Sequence, residues 1–190
     1  MDKKIKASDY GTVAVSLVVK DAKAAIEFYK KVFGAKHLYS LTMPGGGIAH
    51  GEFKIGNTLV MISDENPQWG SKSPATLGGS PVTLNVMVDD PDATAEKAVK
   101  AGGKVVFPVS DHFYGFRSGR IEDPSGHYWI ISRVLEELTP AEMQRRMDAW
   151  LASIPKSEPR AEAKAASSAK KKPASPKPAK KAAKSPQKSI

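Results

Sequence analysis

Residues 13–34 read VAVSLVVKDAKAAIEFYKKVFG, and this stretch decides the fold. Val13 to Val19 is apolar and rich in β-branched residues, the composition of a buried strand. Asp21 follows. Ala22, Ala25, Ile26, Tyr29, Val32 and Phe33 then recur at helical spacing, and the pattern stops at Gly34. An aspartate suits the helix N-terminus, where its carboxylate accepts from free N–H groups; glycine suits the left-handed position that ends a helix.

The same order returns further along the chain. VTLNVMV at 82–88 leads to Asp90; Ala95, Ala98, Val99 and Ala101 form an apolar stripe; Gly102-Gly103 closes it. The two aspartate-to-glycine intervals are equal, 34 − 21 = 103 − 90 = 13. Strand-like runs follow each helix, at 36–43, 47–54 and 58–63 and then at 104–109, 117–122 and 127–134. Pro44-Gly45-Gly46-Gly47, Gly56-Asn57 and Asp123-Pro124-Ser125-Gly126 divide them in the manner of hairpin turns.

Each half is therefore β-α-β-β-β, over about 10–65 and 80–135. One unit is too small to bury its own sheet. The expectation is an α+β domain over 10–136: two βαβββ modules forming a curved, mostly antiparallel mixed sheet around a cleft, joined by a linker at 64–81. Residues 1–9 form an N-terminal arm. Thr139-Pro140-Ala141-Glu142 is a capping box that opens a C-terminal helix within 137–153, with Met143, Met147, Trp150 and Leu151 on the face laid against the body. From 154 to 190 the chain is Lys, Ala, Ser and Pro, a composition that predicts a disordered tail.

Charge follows the same division. Residues 1–155 hold 18 basic and 18 acidic side chains; residues 156–190 hold 11 and 2, and 11 − 2 gives the whole net charge of +9. The body is neutral and the tail is a polycation suited to sequence-nonspecific contact with nucleic acid. There is no cysteine, which excludes disulfides and thiolate chemistry. No run approaches the roughly 20 apolar residues of a membrane helix. A cytoplasmic protein with no membrane partner is the expectation.

Two segments carry a family resemblance. The helix at 24–35, AAIEFYKKVFGA, resembles the first helix of the glyoxalase/bleomycin-resistance/dioxygenase (vicinal oxygen chelate) superfamily, and Asp123-Pro124-Ser125-Gly126-His127 resembles the turn before its last strand. Residues 48–52, 61–65, 73–83 and 142–147 are similar to the PhnB-like branch. The resemblance implies the glyoxalase/bleomycin-resistance fold and a homodimer. In metal-using members, His and Glu ligands come from the first and last strands of each unit. Here those positions fall on Ala14, Thr83, Ile130 and Val60 or Met61, with no imidazole or carboxylate among them. No metal or other cofactor is therefore expected.

Other residues are candidates for a ligand site. His50 and Glu52 are two apart on a strand and share a face, able to meet His127 across a cleft. The loop at 111–120 combines Phe113, Tyr114 and Arg117, which suits a rim that stacks on a planar molecule and pairs with an anion. Trp69 lies in the linker, where it could cover the cleft, and Asn85 sits mid-strand where an apolar residue is expected. No catalytic residue is identified. Two readings stand: metal-independent binding of a small planar or anionic molecule, or a metal-dependent lyase or dioxygenase whose site has moved to His50, Glu52 and His127.

Overall fold

A computed structural model describes Lys6 and residues 10–154. The arm at 1–9, apart from Lys6, and the tail from 155 lie outside the described residues. Strand β1 (Val15–Val19) leads to α1 (Ala22–Phe33), then β2 (Lys36–Thr42), β3 (Ile48–Ile55) and β4 (Thr58–Asp64). After a short 3-10 turn (Pro67–Trp69) and α2 (Pro74–Leu77) the order repeats: β5 (Thr83–Met87), α3 (Pro91–Lys100), β6 (Lys104–Asp111), β7 (Phe116–Glu122) and β8 (Tyr128–Val134). Helix α4 (Pro140–Ser153) ends the described chain.

The strands form two four-stranded mixed sheets, β1-β4-β3-β2 and β5-β8-β7-β6. In each, only the first pair is parallel, because only that connection crosses over through a helix and returns. The caps work as their residue types require. Asp21 accepts from the Ala24 N–H and Asp90 from the Ala93 N–H, while Gly34 stands at φ 65°. Helix α1 buries Ala22, Ala25, Ile26, Phe28, Tyr29 and Val32; of the residues at helical spacing in the sequence only Phe33 is left half-buried, and Phe28 joins the buried face.

One core serves both modules. Leu17, Val19, Phe53, Val60 and Ile62 of the first sheet cluster with Val86, Ile121, Trp129 and Ile131 of the second. Tyr29 stacks on Phe53 (5.2 Å) and packs against Trp129 (5.3 Å), so a helix of module 1 bridges the two sheets. The Asp123 carboxylate anchors that bridge. It is only 3% exposed and accepts from the Tyr29 hydroxyl (2.7 Å), Trp129 Nε1 (2.9 Å) and the Ser125 and His127 N–H groups. Burial, with the neighbouring Asp123, pushes the Tyr29 phenol well above its ordinary pKa, so it stays a donor.

The linker is more ordered than its proline and glycine content suggests. Glu65 accepts from Ser73 N (2.9 Å), Ser73 Oγ (2.7 Å) and Thr76 Oγ1 (2.7 Å), tying α2 to the end of β4. These donors, the Ser73 hydroxyl first, hold the Glu65 carboxyl down at about 2. An unfolded Glu titrates near about 4.3. A folded pKa below the unfolded value contributes stability above pH ~4 that is lost as pH falls towards about 2. An NMR titration should place the Glu65 midpoint near about 2, and Ser73→Ala should move it up towards the ordinary glutamate value.

Helix α4 departs from expectation. Thr139 caps it, accepting from the Glu142 N–H, but its apolar face is not buried. Trp150 stacks on Phe113 at 5.3 Å yet remains 48% exposed, as do similar fractions of Met147 and Leu151. Arg146 pairs with Glu136 and Glu142 and supplies the remaining attachment. Among the described residues, no helix is long and apolar enough to cross a membrane.

Candidate functional site

The faces of the two sheets that turn away from the helices carry the polar chemistry, and strand register aligns it. Across the first sheet, Ser16, Met61, Glu52 and Tyr39 lie side by side. Across the second, Asn85, Ile130, Arg120 and Phe107 form the matching row. The repeat interval is 90 − 21 = 69 residues, and 16 + 69 = 85, so the rows are equivalent. A carboxylate therefore occupies the centre of one face where a guanidinium occupies the centre of the other.

Glu52 is 2% exposed. Its Oε1 accepts from the Tyr10 hydroxyl (2.8 Å) and lies 3.2 Å from His50 Nε2, and Tyr39 donates to the same carboxylate. Burial is the largest influence and would raise the Glu52 pKa. The three donors together outweigh it and leave the pKa below the ordinary value. Burial, then the bond to Glu52, raises Tyr39. The group is an ionised carboxylate surrounded by donors, with His50 held at its edge.

Arg120 has a different setting. Its guanidinium carbon lies 4.2 Å from the centroid of the Phe107 ring and 5.3 Å from that of Tyr128, within range of cation–π attraction to both. Its Nε is buried and has no acceptor among the described residues. A pocket of about 530 Å³ opens here, lined by Phe107, Ser110, His112, Tyr114, Ser118 and Arg120. His112 and Tyr114 stack face to face at 4.9 Å on its wall. His112 Nε2 lies 3.2 Å from the Ser118 carbonyl, and the Tyr114 hydroxyl 3.4 Å from Ser118 Oγ. An aromatic wall, several hydroxyls and a cation lacking a partner at Nε are the features that hold a planar anion.

The structure brings some of the sequence candidates together and separates others. His50 and Glu52 meet, and Tyr114 lines the pocket. Asn85 is exposed in the Arg120 row. His127 does not join His50; its Nε2 lies 3.1 Å from the Val18 carbonyl at the module junction. Phe113 faces α4 instead of the pocket. Trp69 stands 77% exposed on its 3-10 turn and does not line the pocket. Arg117 lies apart from the pocket. It points to the helix side, held by both Asp92 oxygens (2.6 and 2.8 Å) and by Asp111 (2.6 Å). Those carboxylates raise its pKa and occupy its donors. Arg120, three positions along the strand and so on the opposite face, has the free geometry. Sequence reasoning missed Tyr10, Tyr39, Phe107 and Tyr128, and within the loop at 111–120 it singled out Arg117 where His112 and Arg120 line the pocket. The one signal available was the alternation Phe116, Ser118, Arg120, Glu122, which puts all four on a single face.

The positions that the family resemblance assigns to metal ligands, Ala14, Thr83, Ile130 and Val60 or Met61, hold no imidazole or carboxylate, and Glu52 with His50 beside it is the acidic and imidazole pair on the face of the first sheet. No group of three His, Cys, Asp or Glu side chains able to hold a metal occurs among the described residues.

Comparison with known proteins agrees with the architecture. The family model for the Glyoxalase/Bleomycin resistance protein/Dioxygenase superfamily matches residues 11–131. The protein Mb0911c of Mycobacterium bovis is 40% identical over 134 residues, covering 69% of this chain and 88% of its own length. The crystal structure of TioX from Micromonospora is similar at TM-score 0.52 and 27% identity, over 66% of this chain and 100% of that one. The fosfomycin resistance protein FosX of Listeria monocytogenes, solved with Mn(II) and sulfate, shares the fold at TM-score 0.52 and 18% identity, over 72% and 97%. The chain belongs to the glyoxalase/bleomycin resistance protein/dioxygenase superfamily.

Proposed function

We propose that this protein binds a small planar anion on the outer face of its second sheet without a metal ion. The observation that carries this reading is Arg120, whose guanidinium lies against the Phe107 and Tyr128 rings at a pocket of about 530 Å³ with no carboxylate paired to it among the described residues. A carboxylate that reached the guanidinium would make a charge-assisted hydrogen bond, while its ring stacked against His112 and Tyr114. The lack of imidazole or carboxylate at the usual ligand positions supports metal independence. The sequence motifs at 48–52 and 142–147 support a place in the PhnB-like branch. The basic segment 156–190 suits nonspecific contact with nucleic acid, and the half-exposed apolar face of α4 suits a homodimer.

Calorimetric titration with 2-naphthoate tests the binding reading. Arg120→Gln should weaken binding by about 10- to 100-fold, the loss of a bond worth roughly 1.5–3 kcal/mol. Arg117→Gln should leave affinity within about threefold, since Arg117 is committed to Asp92 and Asp111. Equal affinity in the Arg120 variant, or stoichiometric metal in the purified protein, would overturn the reading. The His50–Glu52 pair is the one observation favouring a catalytic alternative, because an ionised carboxylate beside an imidazole suits proton transfer.

A further inference from the structure

The internal repeat makes the two ends of the junction between the modules equivalent, yet they are filled differently. At one end the turn between β7 and β8 runs over residues 123–127. Asp123 there receives the Tyr29 hydroxyl, and the His127 ring reaches the Val18 carbonyl. The equivalents follow from the 69-residue interval: Tyr29 corresponds to Ala98 (29 + 69) and Val18 to Met87 (18 + 69). Tyr128 pairs with Thr83 as Leu59 would with Ala14, so His127 corresponds to Thr58.

At the other end three of these positions hold smaller side chains: Gly56 stands for Ser125, Thr58 for His127 and Ala98 for Tyr29, while Lys54 takes the place of Asp123. Beside this end lies a pocket of about 690 Å³ reaching both Thr58 and Met87. Its floor is apolar: Phe33, Val60, Leu84, Val86 and Trp129, all on the helix side of the sheets and away from Arg120. Its mouth carries Lys31 and Lys97, which have no carboxylate partner among the described residues, while Lys30 is paired with Glu27. The wall carries Lys30, Lys31 and Lys97 against Asp89 and Asp90, three cations to two carboxylates, and Asp90 also caps α3.

We infer that this hollow at the module junction is a second binding site, for a molecule with an apolar body and a single anionic head. The body lies on the apolar floor, and Lys31 and Lys97 face the head. Apart from Asn85, which stands in the Arg120 row, its lining is separate from the Arg120 pocket.

Site-resolved NMR of the full chain tests it with two probes of equal chain length, decanoate and decyltrimethylammonium. Decanoate should shift the amide resonances of Asn57, Thr58 and Lys97, and the cationic probe should bind at least about tenfold more weakly. Ala93→Trp, which places an indole on the half-buried α3 wall of the pocket, should abolish the decanoate shifts and leave 2-naphthoate titration unchanged. Should that variant not fold, Lys31→Glu with Lys97→Glu should reduce decanoate affinity at least tenfold. The inference fails if decanoate shifts only residues around Gly119 and Arg120, shifts none, binds no better than the cation, or is indifferent to these substitutions. Loss of naphthoate binding in Arg120→Gln with decanoate binding intact separates the two sites.

Discussion

Asp123→Ala should lower the unfolding free energy by about 4 kcal/mol, among the largest effects of any single polar substitution. The side chain is almost fully buried, and four donors converge on it: a phenol, an indole N–H and two backbone N–H groups. Truncation removes the acceptor and leaves the donors in place. A buried donor without a partner costs about 1–3 kcal/mol, and the neighbouring core can admit water to only some of them. In a domain of this size, 1 kcal/mol corresponds to about 2–4 °C, so the melting midpoint should fall by roughly 10 °C. Tyr29→Phe removes one donor and keeps the ring that packs on Phe53 and Trp129; it should cost only about 1 kcal/mol. Denaturant melts of the two variants check the prediction. Equal, small losses would mean that Asp123 does not anchor α1 to the second sheet.

Gly115→Ala should cost about 3 kcal/mol and disturb the Arg120 pocket as well. Two independent penalties add. Gly115 stands at φ +82°, where a side chain costs about 1–2 kcal/mol. A Cβ built there would also lie 2.6 Å from the Glu136 carbonyl oxygen, which is backbone and cannot swing away. Relief requires the 112–116 turn to move from residues 135–136, breaking the bonds that the Leu135 and Glu136 N–H groups make to the Gly115 carbonyl. His112 and Tyr114 sit on that turn, so naphthoate binding should fall along with stability. In Gly45→Ala, by contrast, the left-handed penalty applies alone, since no atom lies within 4 Å of the added carbon. Denaturation curves of the two variants should differ by about the overpacking cost of 1–3 kcal/mol.

Much of the fold was legible because the signals were local. The 13-residue interval between Asp21 and Gly34 is a cap, some three turns of helix and a left-handed stop; from Asp90 the cap recurs, but α3 ends earlier, at Lys100, with Ala101 as its cap and Gly102 left-handed. The strands after each helix are set off by turn residues whose backbone preferences are their own. Even the absence of a ligand set at Ala14, Thr83 and Ile130 could be counted from the caps, because the connection between strand and helix is short and rigid.

The site was less legible, and Arg117 and Arg120 show why. Both lie on β7 and both are cations among aromatics, but an odd separation puts them on opposite faces. Which face bears the pocket depends on β6, whose pairing with β7 slips between Val105 and Phe107 and again before Ser110. No local pattern records such slips. Glu52 is similar: its donors Tyr10 and Tyr39 come from segments 42 and 13 residues away. His127 looked like a partner for His50, yet docking of the modules spends it on the Val18 carbonyl.

The sequence by itself therefore determined the elements and the repeat, since each rests on residues close together in the chain. Only the tertiary structure decided which arginine has a free donor and which end of the module junction stays hollow. Both depend on strand register and on packing between segments far apart in sequence, where a one-residue shift turns a side chain from ligand to core.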